Sequence, residues 1–571
     1  MSIILQFFKP YGKLLFFTMV FIALDVAGAL YIPKLTAEMI NVGVTTGDME
    51  YIVQRGLFML AAAVVAGIGT LAGTFLCAEL SAFVSRDMRE KIYQKSLDLS
   101  AADFKQTGTS SMIARTLNDV DFIGQGITYF IQMVLPVPFM CVMGIVMSFS
   151  IDKYIGTLLL GITAAILLST FAVSAKASAV FERLQKFLDR LCSVVRENII
   201  GVRVVRAFNK ENHEESRMRK SFEDYAESAV KANIMFAGLD VMALVIVNFS
   251  ISAIVWIGGN RVGGGLIEIG DITALTEYAV LILYYIIMAQ MVIALVPRAA
   301  VCLRRIDEVL DKKSRISDGT ESPSSLKTDE IIRFENVSFR YDNADEKALN
   351  KISFSCKRKE TTAIIGSTGS GKSTIAELIM RFCDATEGRV LFKNKDVKNL
   401  KQNELREHIS YVPQKTWLFS GTVAENLRYA DSRSSEKRLR KALATAQAYF
   451  VGKLEDGIMA EVSQGGKNLS GGQKQRLAIA RALVKKADLY IFDDSFSALD
   501  FKTDADLRRA LAKEMKNSAV LITSQRVNTV MNAAQIIVLD NGKIVGKGTH
   551  KRLLKNCRVY REIVKSQAKG V

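Results

Sequence analysis

Histidine and paired cysteine are scarce in this 571-residue chain. The three histidines, His213, His408 and His550, lie far apart in sequence. The seven cysteines, at 77, 141, 192, 302, 356, 383 and 557, form no CxxC and no Cys/His ligand spacing. That pattern argues against a thiolate–imidazole metal centre and against a disulfide framework, and the thiols read as free in a reducing compartment. A cleavable leader is missing as well. The first hydrophobic run is too long and offers no convincing small-residue cleavage site, so no cleaved signal and no preceding peptidase-like domain are expected. Nor does any Lys or Arg fall in the middle of a long apolar run.

What the chain has instead is a mixture: 49% hydrophobic residues together with 23% charged ones, and a formal net charge of +17. Stretches of about 20 nearly uncharged residues, the length that crosses a bilayer, recur near 14–33, 56–78, 122–151, 154–175, 241–260 and 272–297. Six Lys or Arg (Arg86, Arg89, Lys91, Lys95, Lys105, Arg115) lie between the second and third runs, and twelve more lie in 176–233. The alternate loops hold four: Lys34, Arg55, Lys153 and Arg261. This asymmetry predicts a multi-pass protein of a cytoplasmic membrane, with the N-terminus and both long loops in the cytoplasm. It also accounts for much of the positive charge without nucleic acid as a partner.

The long loops carry helical periodicity, as in RDMREKIYQKSLDLS, and read as cytoplasmic extensions of the spans. Gly69 and Gly73 form a GxxxG that suits close helix packing, and Pro136 and Pro138 are placed to bend the third span. Residues 1–316 are thus expected to form a six-helix membrane domain. A polar Ser/Pro/Gly/acid linker follows at 317–330, and 331–571 alternate short apolar runs with helical patterns, as α/β domains do.

Within that last region a predicted strand, Thr361–Ile365, runs into GSTGSGKST: Gly366, Ser367, Thr368, Gly369, Ser370, Gly371, Lys372, Ser373 and Thr374. Glycines at these spacings let backbone N–H groups close around phosphates at a helix N-terminus. Lys372 would reach the β- and γ-phosphates, and the Ser373 hydroxyl would bind Mg²⁺. Downstream, the apolar LYIF ends in two carboxylates, Asp493 and Asp494; Asp493 suits the second-shell Mg²⁺ carboxylate of P-loop nucleotide hydrolases. Just upstream, Leu469, Ser470, Gly471, Gly472 and Gln473 (LSGGQ) open a helix and make a second anion site. Two such domains head to tail would sandwich ATP between them.

These motifs make the chain resemble a half-transporter of the ATP-binding cassette (ABC) exporter superfamily. The resemblance runs from LQFFKPYGKLL to GKIVGKGTHKRLL, nearly the whole length. It implies a polytopic α-helical membrane domain of the type IV exporter kind, with six transmembrane helices, followed by an α/β P-loop nucleotide-binding domain that uses ATP and Mg²⁺. Tyr341 is similar to the family's adenine-stacking aromatic, Gln414 to the glutamine linking Mg²⁺ to the membrane domain, and Ser497–Asp500 to the loop crossing the dimer interface. Residues near 103–119 and 197–212 resemble the cytoplasmic loops that dock on nucleotide-binding domains.

The chain departs from the family pattern at two catalytic positions. Asp494 stands where the family has a glutamate acting on the attacking water, and Gln525 where it has the switch-loop histidine that contacts the γ-phosphate. Asp494 is shorter by about 1.5 Å, and a misplacement of ~1 Å can cost on the order of 10²-fold in rate. Gln525 keeps a donor but carries no proton or positive charge. With Lys372, Gln414, Asp494 and Gln525 as its catalytic groups, the site is expected to bind ATP and turn it over slowly, while LSGGQ is unaltered. Gln464 and Gly465 also replace the Glu-Arg that many exporters carry before the signature. The combination resembles the degenerate half of heterodimeric bacterial multidrug exporters, whose partner would be a second half-transporter with its glutamate intact. Membrane lipid would surround the spans, and the substrate would be an amphipathic small molecule. Two alternatives stay open: a homodimeric exporter of lipid, drug or peptide, and an ATP-binding regulatory subunit. Asp25 lies mid-span, with Glu79, Asp240 and Glu277 nearer span ends. An ionisable residue at such depth is a candidate functional group, and Asp25 is expected either to face the cavity and favour cations or to act in the outer gate.

Overall fold

Inside a bilayer an apolar run can satisfy its backbone polar groups only within its own helix or a closed barrel. A computed structural model of the chain describes residues 2–293, 295–323, 328–342 and 344–568, and there the apolar runs are helical. Among the described residues, six helices are long and apolar enough to cross a membrane: Ile4–Val44, Met49–Asp98, Thr109–Ile151, Lys153–Thr170, Val241–Gly263 and Ile269–Gln290. Three belong to continuous helices of 50, 55 and 53 residues, Met49–Asp98, Lys153–Ala207 and Glu211–Gly263. At about 1.5 Å per residue these reach ~75–80 Å, far beyond a hydrocarbon core of ~30 Å. The basic loops are therefore extensions of the spans.

The sixth span is shorter than the apolar run at 272–297. Its helix is described over Ile269–Ile293, and a new one, Val296–Leu310, starts with a proline in its first turn, where a missing N–H costs nothing. Pro136 likewise opens a helical segment, Pro136–Ile151, after a π-turn at Phe130–Val134. Gly69 and Gly73 pack against the first span, and a Cβ on Gly69 would meet the backbone N of Asp25 at 2.8 Å and the carbonyl of Phe21 at 2.9 Å. Asp25 accepts a hydrogen bond from Thr70 Oγ1 at 2.7 Å. The Asp240 side chain lies outside the described residues.

Contacts divide the chain into two compact units, Met1–Asp98 with Thr107–Lys313, and Leu99–Gln106 with Ser314–Val571. The stretch read as a linker contributes to the second unit: Ser317 O accepts from the buried Arg381 guanidinium at 2.8 Å, and Gly319 packs so closely on Asn399 that a Cβ would meet its carbonyl at 2.2 Å. Residues 324–327 of that stretch lie outside the described residues.

The second unit's strands run, in chain order, β1 Glu330–Phe339, β2 Leu349–Lys357, β3 Thr361–Gly366, β4 Glu387–Phe392, β5 Lys395–Asp396, β6 Ile409–Val412, β7 Gly421–Thr422, β8 Glu461–Val462, β9 Leu489–Asp493, β10 Ala519–Ser524, β11 Gln535–Asp540 and β12 Lys543–Gly548. One sheet has the order β2-β1-β4-β5, the main one β12-β11-β3-β10-β9-β6, and β7 pairs with β8. In the main sheet β11, β3, β10, β9 and β6 are parallel, and β12 closes one edge antiparallel. β3, β9 and β10 are apolar and almost wholly buried, as strands covered on both faces must be. Parallel strands gather the loops from their carboxyl ends at one edge of the sheet, where ligands of open α/β folds bind.

Asp488, just ahead of β9, ties three segments together. Arg358, Lys393 and the ring of His408 each approach its carboxylate to 2.8 Å. Burial alone would raise its pKa, but hydrogen bonds from Lys393 and Arg358 outweigh this and hold it at about 2. An acid stronger in the folded than in the unfolded chain stabilises fully above its unfolded value of about 3.9 and stops doing so as pH falls towards 2. Asp488→Asn is therefore expected to destabilise this domain by about 1–2 kcal/mol at neutral pH, after allowance for solvent screening, and to flatten its stability loss between pH 4 and 2. Thermal unfolding across that pH range checks it; identical profiles for variant and wild type would remove Asp488 from the acid transition.

Candidate active site

The phosphate loop is shaped by what stands behind it. A Cβ on Gly366 would meet Leu539 O at 2.3 Å, and one on Gly371, at φ +99°, would meet Ala348 O at 2.6 Å, so no larger residue fits either position. Gly371 is the N-cap of the helix Lys372–Ile379. Ser367, Thr368 and Gly369 are exposed, while Ser370 is buried beneath them. The Lys372 ammonium folds back over the loop, donating to Gly366 O at 2.8 Å and Ser367 O at 2.6 Å. Burial pushes its pKa down, and the charges of Asp494 and Asp493 oppose that shift.

Beside the loop, Asp493 Oδ1 accepts from Ser373 Oγ at 3.1 Å and from Thr523 Oγ1 at 2.6 Å. Gln414, two residues beyond β6, places its Nε2 3.4 Å from Asp494 Oδ2. Ser373, Asp493 and Gln414 supply hard oxygen donors beside a phosphate-binding loop, a set that fits Mg²⁺. Asp494 has φ +44°, a left-handed backbone that short acids tolerate better than most side chains. Its N–H is held by Thr523 O and Thr523 Oγ1, both at 3.1 Å. Burial pushes the Asp494 carboxyl above the usual range; Lys372 opposes this and Asp493 adds to it. Gln525 turns its Oε1 towards Thr368 Oγ1, 3.4 Å away.

Tyr341 meets the same helix from the other side, its hydroxyl 3.1 Å from Thr374 Oγ1 and donating to Glu377 at 2.8 Å. Tyr341 as a whole is 43% exposed, enough to leave room for a planar ligand beside it. Together Tyr341, Lys372, Ser373, Gln414, Asp494 and Gln525 border one cleft of about 240 Å³, with Asp493 at its floor. The predicted loop, carboxylates and switch glutamine thus converge.

Leu469–Gln473 do not border that cleft. Ser470 caps the helix Gly471–Val484 through a reciprocal pair with Gln473, whose Oε1 accepts from Ser470 N at 2.8 Å. Leu469 is packed on the core, whereas Ser470 and Gly471 are exposed. Between the two sites, the backbone of Ser497–Asp500 is held by Arg526, donating to Ser497 O at 2.7 Å and Leu499 O at 3.2 Å, and by Gln475, accepting from Ala498 N at 3.2 Å. Gly465, at φ +69°, packs under the Trp417 ring.

Some site residues escape a reading of motifs. Thr523 holds the Asp493 carboxylate and the Asp494 backbone N–H, and its one sequence signal is a polar Thr-Ser pair closing an apolar strand. Gln567, in the C-terminal helix, donates to Gln525 O at 2.7 Å and accepts from Val527 N at 2.8 Å. Some forty residues separate it from that loop, and no local pattern announces the contact.

With this geometry established, comparison with known proteins places the chain. Residues 15–286 match the family model of the ABC transporter transmembrane region, and 349–497 match the family model described as ABC transporter. An uncharacterized ABC transporter ATP-binding protein of Mycobacterium tuberculosis is 35% identical over 100% of this chain and 98% of its own length. An ATP-dependent lipid A-core flippase of Desulfotalea psychrophila is 30% identical over 83% of this chain and 82% of its own. A solved bacterial Atm1-family ABC exporter with ATP bound shares the fold at a TM-score of 0.83 and 24% identity, over 97% of this chain and 98% of that one. The chain belongs to the ABC transporter family, as an exporter-type fusion of a transmembrane region with an ATP-binding domain.

Proposed function

We propose that this chain is the slow-site half of a heterodimeric exporter of amphipathic compounds in a bacterial cytoplasmic membrane, with its N-terminus and ATP-binding domain in the cytoplasm. The observation that carries this is the asymmetry of its two ATP faces. On one, Asp494 and Gln525 stand at the hydrolytic positions; on the other, Ser470 and Gly471 are exposed on an unaltered signature helix. A homodimer would contain two impaired sites, whereas a partner with its own glutamate would gain one full site from this chain's signature.

The phosphates of ATP would lie on the N–H groups of Gly366–Thr374, with Lys372 turning from its own loop to meet them. Tyr341 would take the adenine ring. Ser373, Asp493 and Gln414 would hold Mg²⁺, which when bound neutralises phosphate charge. Asp494 is left to orient the attacking water from a retracted position. Gln525 would face the γ-phosphate with a hydrogen-bond donor but without a positive charge to offer. Asp25 would favour lipophilic cations in the membrane cavity, and Asp25→Asn should weaken their transport; unchanged transport would remove that role.

The flippase relative favours lipid as the cargo of a second reading, in which this chain pairs with itself as a homodimeric exporter. Purification of the tagged chain from its native host in mild detergent, with subunits identified by mass, separates the two. A stoichiometric second half-transporter of different sequence supports the heterodimer. Recovery of this chain paired with itself overturns it.

A further inference from the structure

The ATP-binding domain holds a second cavity, about 510 Å³, between the helix Phe501–Glu514, the starts of β3 and β10, and the short helix Val527–Val530. Its floor is apolar and buried: Phe492, Leu511, Met515, Val520 and Ile522. Its rim is cationic, with Lys359, Arg508, Arg509 and Lys516 against one carboxylate, Glu360. Arg508 is engaged by Asp504 at 3.0 Å and Arg509 by Asp506 at 2.5 Å, but Lys359 and Lys516 form no ion pair among the described residues. Thr529 lines the wall and is buried, at 4% exposure.

We propose that this cavity is a binding site for a small anionic amphiphile, an apolar chain or ring bearing one acidic head group. The volume lies in the range of small-molecule sites, which pair apolar walls with a few convergent polar groups. The apolar body would lie on Phe492, Leu511 and Met515, with the head group between Lys516 and Lys359. Successive side chains of a strand point to opposite faces. Phe492 and Ile522 therefore border this cavity while their neighbours, Asp493 and Thr523, are hydrogen-bonded to each other at the ATP site. An occupant would press on the two strands that position the Mg²⁺ carboxylate, so the site is suited to regulating ATP turnover. The inference is independent of whether the transporter is a homodimer or a heterodimer.

Octanoate is the probe, followed by saturation-transfer NMR on the full-length chain in lipid nanodiscs, with empty nanodiscs as the blank. A protein-dependent signal is expected that weakens at least fivefold in Lys516→Glu and vanishes in Ala505→Trp, which fills the half-buried cavity wall. Octanamide, equal in shape and uncharged, should fail to compete. Retained ATP binding shows that each variant is folded, and the surface exchange Lys516→Glu carries the test if the tryptophan variant misfolds. No protein-dependent signal in the wild type, undiminished binding by Lys516→Glu, equal binding by folded Ala505→Trp, or equal competition by octanamide would each overturn the proposal.

Discussion

Ser470→Arg is expected to lower ATP turnover by the native dimer on the order of 10²–10³-fold, while Asp494→Asn changes it by less than about threefold. Ser470 caps an exposed helix N-terminus, with its own N–H tied to Gln473 at 2.8 Å. An arginine there removes the capping oxygen and sets a bulky cation where, in the proposed dimer, the partner's nucleotide would approach. Losing a preorganised anion-stabilising group of this kind costs rates of that size. Asp494, in contrast, serves the site proposed to be slow already, so its loss has little left to remove. Steady-state hydrolysis by the purified dimer, with each variant in this chain alone, reads both numbers. If Asp494→Asn is as damaging as Ser470→Arg, the aspartate is a working catalytic group and the slow-site assignment falls.

The second large effect is expected at Lys372. Lys372→Ala should weaken nucleotide binding at this chain's own site by about 10- to 10²-fold, since hydrogen bonds to charged groups contribute ~1.5–3 kcal/mol. Before nucleotide arrives, the ammonium is held by Gly366 O and Ser367 O at 2.8 and 2.6 Å. Those carbonyls keep it in place above the loop, so little ordering remains when phosphate replaces them. Removing it leaves the loop backbone, whose glycines are set by Leu539 O and Ala348 O rather than by the lysine, and the domain should remain folded. Equilibrium titration with a non-hydrolysable ATP analogue and Mg²⁺ measures the loss. Undiminished affinity in a folded variant would mean that the phosphates do not sit on this loop.

Six spans and an α/β domain were legible in the sequence because both follow from local patterning. A charge-free run in lipid must close its own hydrogen bonds, and a buried parallel strand must be apolar on both faces. The loop from Gly366 to Thr374 was legible for the same reason, since its glycines answer a local steric demand. Where the chain breaks the family pattern, Asp494 and Gln525 could be named without coordinates.

The rest depended on residues distant in sequence meeting in space. Only the fold brings Thr523 to both Asp493 and Asp494, sets Asp494 at φ +44°, and hangs the switch loop from Gln567. Only the fold docks the polar stretch after Lys313 onto Arg381, starts a new helix at Val296 after the sixth span, and opens a cationic apolar cavity behind Phe492. Periodicity and motif record what each segment requires of its immediate surroundings. Which other segment meets that requirement is settled when the sheet and helices pack, because contacts across tens or hundreds of residues leave no spacing to read.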